Sequence, residues 1–159
     1  MKSLVYLSVL LVALTVSCGD NDGDSVSGKD EHMILLTAEN GKPIGPEIKY
    51  MKEWKAFGWF SAKDRVEWDV DVEKGGKYNV FMEWSVDDKE AGKQFLLETK
   101  NDQLIGKVGK TGSWETFKSE NIGVVNLEKG NQKIIFRSNA DFKEGALLDL
   151  RQLRLVRKG

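Results

Sequence analysis

The chain has 159 residues, with 24 lysines and arginines against 25 aspartates and glutamates, for a formal net charge of −1. So even a balance gives no electrostatic reason to bind nucleic acid or an anionic lipid surface. One histidine, His32, and one cysteine, Cys18, argue against a histidine-dependent triad, a histidine-rich metal site and an internal disulfide.

The chain opens on Met1-Lys2, followed by an apolar run, Leu4 to Val16, that is too short to span a bilayer. Thr15-Val16-Ser17-Cys18 then resembles a bacterial lipobox, with Thr15 where leucine is usual. Residues 1–18 are expected to be a lipoprotein signal peptide ending at a lipidated Cys18; an ordinary signal peptide with an incidental cysteine is the alternative. Residues 19–31, rich in Gly, Ser and Asp and without periodicity, predict a flexible acidic tether. Asp20, Asp22 and Asp24 resemble the surface-export tag of Bacteroidetes lipoproteins, and read equally well as a solvated linker. The expected location is the cell envelope, lipid-anchored at the outer membrane, with the membrane reached only through the lipid.

Residues 32–159 read as one domain. Met33 to Ala38 predicts a first strand. Asn40-Gly41-Lys42-Pro43 and Gly45-Pro46 predict turns, Glu47 to Met51 a short strand, and Lys52 to Ala56 a loop or brief helical turn. The clearest pattern is Arg65 to Val86. Val66, Trp68, Val70 and Val72 alternate with Glu67, Asp69 and Asp71; Gly75-Gly76 offers a turn; Tyr78, Val80, Met82, Trp84 and Val86 resume the alternation. This predicts a β-hairpin, with Phe81 an apolar intruder on the polar face and Glu83 a candidate to point inward. Asp87 to Gly92 predicts a charged loop. Strands are expected at Lys93 to Thr99, Gln103 to Val108, Trp114 to Lys118, Ile122 to Leu127 and Lys133 to Ser138. Gly106 predicts a bulge or a close contact. The last strand, Ala146 to Arg157, slips its alternation near Arg151-Gln152, which predicts a bulge. With no sustained helical period, and strands roughly every ten residues, the fold class is all-β, an antiparallel β-sandwich.

No catalytic set emerges. His32 stands alone at the tether end, Glu67, Asp69 and Asp71 have the pattern of a solvated strand face, and no glycine-rich phosphate loop opens a helix. What stands out is five tryptophans. Trp68 and Trp84 fall on inward faces and read as core. Trp59 and Trp114 each sit beside glycine where a loop meets a strand. A tryptophan face suits the flat C–H patch of a sugar ring, with nearby polar groups fixing the hydroxyls. The bland alternative is that both plug the ends of the sandwich.

The motifs Leu36-Thr37-Ala38-Glu39, Gly58-Trp59, Val66-Glu67-Trp68-Asp69-Val70, Gly76-Lys77-Tyr78-Asn79-Val80, Thr111-Gly112-Ser113-Trp114-Glu115-Thr116-Phe117 and Asp149-Leu150-Arg151-Gln152-Leu153-Arg154-Leu155 carry a resemblance. In their order and spacing they resemble the galactose-binding-like jelly rolls grouped as family 6 and family 35 carbohydrate-binding modules. The resemblance implies a non-catalytic module holding a poly- or oligosaccharide in a cleft of loops, with Trp59 and Trp114 as its aromatics. Asp149 stands where the family often has asparagine. Lys63, Asp64 and Glu115 are further candidate hydrogen-bonding residues. The family often holds a structural calcium, and Glu39 matches one ligand, but Arg151 stands at another. The expectation is no metal and no cofactor, with a Glu39–Arg151 ion pair instead. The alternative function is a structural module docking on an envelope protein partner.

Overall fold

The computed structural model describes residues 32–159. The expected signal peptide, lipidated Cys18 and acidic tether lie outside the described residues. Eleven strands follow in chain order: β1 Met33–Thr37, β2 Lys42–Ile44, β3 Lys49–Met51, β4 Ala56–Gly58, β5 Arg65–Val72, β6 Gly76–Ser85, β7 Gln94–Glu98, β8 Gln103–Lys107, β9 Lys118–Leu127, β10 Gly130–Ser138 and β11 Asp149–Arg157. There is no helix among the described residues. One sheet runs β3-β4-β11-β6-β9, with β1 also on β11, and the other β2-β5-β10-β7-β8. All pairs are antiparallel. This is the expected two-sheet sandwich, with the core between the inner faces.

The hairpin expected over Arg65 to Val86 does not form. β5 pairs with β2 and β10, while β6 pairs with β11 and β9 in the opposite sheet. The chain arches over the core at Glu73 to Gly76, where Gly76 takes a φ of +138° that favours glycine. The two apolar faces therefore meet across the core instead of lying side by side. Val66, Trp68 and Val72 from one sheet, and Tyr78, Val80, Met82 and Trp84 from the other, are all buried. Both core tryptophans satisfy their indole N–H. Trp68 Nε1 donates to the Thr37 carbonyl at 2.9 Å and Trp84 Nε1 to the Gly109 carbonyl at 3.0 Å. Phe81 does lie outward, capped by the Arg154 guanidinium 4.5 Å from its ring centre.

Three other expectations change. Lys42-Pro43, read as part of a turn, belongs to edge strand β2, where Pro43 is tolerated because an edge does not need its missing donor. Trp114 to Phe117 is a turn and not a strand. Thr111 and Ser113 hydroxyls bond to nearby main chain and to Thr116, which holds the segment off the sheet. The separate strand read from Ile122 is part of one long β9, with a bulge against β6 between Val80 and Phe81. Gly106 is the close contact and not a bulge: the β7–β8 register is unbroken, and a Cβ there would meet the Phe95 ring at 2.3 Å. The bulge in β11 is present, with the register shifting between Leu150 and Gln152.

The two ends of the described chain meet. Arg157 N–H donates to the His32 carbonyl at 2.9 Å, beside the β1–β11 pairing. Asp149 is at the other end of β11.

Candidate functional site

At that other end the connections between strands enclose a cavity of about 630 Å³. Three tryptophans line it: Trp54 from the turn between β3 and β4, Trp59 just after β4, and Trp114 from the turn before β9. Trp59 is 64% exposed and its backbone sits in the left-handed region at φ +57°. A bulky residue there is strained by about 1–3 kcal/mol, a state that persists when its surroundings over-determine it. The strain presents the indole to solvent, with Lys49 Nζ 5.7 Å from its ring centre. Trp114 is half-buried, and its carbonyl accepts a 2.6 Å hydrogen bond from Ser85 Oγ, which ties this turn to β6.

Trp54 is a site residue that the sequence reading left without a role. It stacks on Phe117, with ring centres 6.2 Å apart at 27°. Arg151, the extra residue of the β11 bulge, lies with its guanidinium 3.6 Å from the Phe117 ring centre and donates from Nε to the Trp54 carbonyl at 3.1 Å. The bulge thus re-aims a cation that steadies an aromatic wall. The available signal was a large aromatic alone among charges, Lys52-Glu53-Trp54-Lys55, which no core position would favour.

Asp149, the first residue of β11, is on the cavity wall and only 9% exposed. No hydrogen bond from the described residues reaches its carboxylate, and burial pushes its pKa up to about 7. Space for it depends on Gly58. A Cβ there would come within 2.6 Å of Met51 Cε and 2.8 Å of Asp149 Oδ1. Glu115 also lines the cavity, with Glu47 and Glu90. Glu90 is paired with Lys93, which also donates to the Ala146 carbonyl at 2.9 Å.

The structure therefore brings together Trp59, Trp114, Asp149 and Glu115, and leaves out Lys63 and Asp64. Asp64 is 1% exposed and accepts from the backbone N–H groups of Ser61 at 2.7 Å and Glu47 at 3.2 Å. A carboxylate so engaged holds two loop segments together and is not presented to a ligand. Lys63 is outside the cavity lining, its N–H donating to Ser61 Oγ at 3.3 Å.

The Glu39–Arg151 ion pair is not formed either. Arg151 Nη1 lies 2.7 Å from Glu83 Oε1, and Gln152 Nε2 donates to Glu83 Oε2 at 2.8 Å. Glu83 is accordingly on the outer face and not among core aromatics. Glu39 accepts from the Tyr50 hydroxyl at 3.4 Å. A guanidinium has no oxygen to offer, so the side chain at position 151 cannot supply the kind of ligand that calcium takes. No cluster of three or more His, Cys, Asp or Glu able to hold a metal occurs among the described residues.

With this geometry in hand, the chain can be set beside solved structures. It is similar to a family 35 carbohydrate-binding module from Clostridium thermocellum, with a TM-score of 0.64 and 14% identity over 77% of this chain and 98% of that one. It is similar to the carbohydrate-binding module of Cellvibrio mixtus lichenase 5A, solved in complex with cellotriose, with a TM-score of 0.63 and 17% identity over 79% of this chain and 98% of that one. An exo-beta-1,3-galactanase from Phanerochaete chrysosporium, solved with beta-1,3-galactotriose, matches with a TM-score of 0.62 and 18% identity over 77% of this chain, which spans only 29% of that one. At such identities the likeness establishes the fold, a jelly-roll sandwich of the family 6 and family 35 type. No protein-family model matches the sequence, and no curated protein matches it significantly.

Proposed function

We propose that the domain is a non-catalytic carbohydrate-binding module that stacks a glycan on Trp59 and Trp114, with Trp54 as a third aromatic wall and Asp149 and Glu115 hydrogen-bonding its hydroxyls. The observation that carries this reading is the convergence of three tryptophans from three separate connections on one cavity of about 630 Å³. Core packing does not require it, because Trp54 and Trp59 are exposed. A site of this make-up combines apolar faces with a few polar groups that fix orientation. Each hydroxyl contact replaces one with water and contributes only about 0.5–1.5 kcal/mol, so affinity rests on the stacking and is modest. The non-catalytic part is supported by the likeness to modules that match over nearly their whole length without an attached enzyme.

Calorimetric titration of the protein with glycans selected on an array tests the site. Trp59→Ala and Trp114→Ala should each weaken binding roughly ten-fold or more, which corresponds to about 1.4 kcal/mol. Unchanged binding in both variants would remove the site.

The same reading places the module on the cell envelope, held by a lipid on Cys18, and is motivated by Thr15-Val16-Ser17-Cys18 after the apolar run. Cys18→Ala should move the protein from the membrane fraction to the soluble one. Retention of the variant in the membrane fraction would count against a lipid anchor at this residue.

A further inference from the structure

The charge of the cavity wall is one-sided. Its lining holds four carboxylates, Glu47, Glu90, Glu115 and Asp149, and no lysine, arginine or histidine. Of these four, only Glu90 is paired with a cation among the described residues, Lys93. Asp149 is nine-tenths buried, faces the cavity and receives no hydrogen bond from the described residues. A buried carboxylate without a partner is unfavourable unless something cationic or strongly donating arrives.

Aromatic faces have the same preference. The negative face of an indole attracts a cation, and tryptophans gathered around carboxylates form the kind of cage that holds ammonium groups. The protein already shows this at the rim, where Lys49 Nζ stands over the Trp59 ring. Uronic acids and sulfated sugars would meet the like charge of the lining carboxylates. A neutral sugar could donate hydroxyl hydrogens to Asp149 but would leave its charge unpaired.

Resting on the carbohydrate-binding reading above, we infer that this cavity selects a sugar carrying a protonated amine, an unacetylated hexosamine unit, with Asp149 as its ion partner and the tryptophan faces around it. The raised pKa of Asp149 is consistent with a carboxylate that lacks its counter-ion. Bound ammonium would bring that pKa back down.

The test uses three trisaccharides of one backbone that differ only at carbon 2: the β-1,4-linked glucosamine trimer, its fully N-acetylated counterpart, and cellotriose. Near neutral pH an amine beside electron-withdrawing groups, with a pKa of about 8 like that of an α-amino group, is still largely protonated. At low ionic strength the glucosamine trimer should then bind at least roughly ten-fold tighter than either neutral trimer, with the advantage shrinking in high salt. Asp149→Asn should erase the advantage of the glucosamine trimer over the two neutral trimers, and Glu115→Gln, at an exposed position, should reduce it. Equal binding of the three, or an advantage that survives Asp149→Asn, would overturn the amine selectivity while the carbohydrate reading stands. If no trimer binds and the array shows no glycan dependent on Trp59 or Trp114, the carbohydrate reading itself fails.

Discussion

Asp149 couples the site to the stability of the fold. Its folded pKa is raised from 3.8 to about 7 by burial. In the unfolded chain the carboxyl ionises near its ordinary value, so between about pH 4 and pH 7 the folded state binds the extra proton. The contribution of Asp149 to stability is therefore highest below that window, falls as pH rises through it, and stays reduced above about 7. The shift sets an upper bound of about 4 kcal/mol on that loss. Asp149→Asn, which cannot ionise, should flatten the slope: in denaturant titrations it should be more stable than wild type near pH 8 and no more stable near pH 4. A wild-type stability that does not fall between those pH values would contradict the buried, unpartnered carboxylate. At this scale the sequence was informative about position and silent about direction. Trp59 and Trp114 stand beside glycines at loop–strand junctions, and the structure brings them together. Asp64 sits in the same kind of turn, yet its oxygens turn back onto the Ser61 and Glu47 N–H groups. A carboxylate in a loop reads identically whether it faces a ligand or its own main chain.

At the scale of elements, face assignment was legible and partnership was not. Period two marks which side of β5 and β6 is apolar, and both strands bury those sides. The same pattern nevertheless held an argument against the hairpin. A two-residue turn at Gly75-Gly76 opposes Val72 to Asn79 and Trp68 to Glu83, and opposed residues share a face. Val66, Trp68 and Val72 would then each lie beside a polar residue, with only Val70 meeting an apolar one, Phe81, a mismatch of one residue in register. Crossing to the other sheet removes the conflict, because the two faces then meet through the core. The observed partner of Asp69 is Lys133 on β10, with Lys133 Nζ 3.1 Å from Asp69 Oδ1. Cysteines at 69 and 133, in a Cys18→Ala background, should join readily under a short thiol cross-linker, since opposed Cα atoms in such pairs are about 4.5–5.5 Å apart. The hairpin would bring residue 69 to Met82 instead. Failure of the 69–133 pair to cross-link would speak against the sheet order. The β11 bulge was visible in the sequence as a slipped alternation. What it does was not visible, because Arg151 meets Phe117, Trp54 and Glu83 only through long-range contacts.

At the scale of the whole fold, the chain changes sheets at almost every connection among the described residues; only β3–β4 and β7–β8 are neighbours there both in sequence and in a sheet. Local pattern can show that such a chain forms a sandwich, as it does here, but not which strands adjoin, because alternation constrains faces alone. The same separation explains the cavity. Its wall is assembled from six connections, the last residue of β3 and the first residue of β11, segments distant in sequence that only the completed sandwich makes neighbours. Trp54 could not be grouped with Trp59 and Trp114 before that assembly was known.

The meeting of His32 with Arg157 has a practical consequence. Whatever extends beyond either end of the described residues departs from one spot, and the cavity opens about 25 Å away, at the far end of the nine-residue β11. The domain is built like a wall bracket, with its screws at the back and its hook at the front. A load hung on either terminus leaves the hook free.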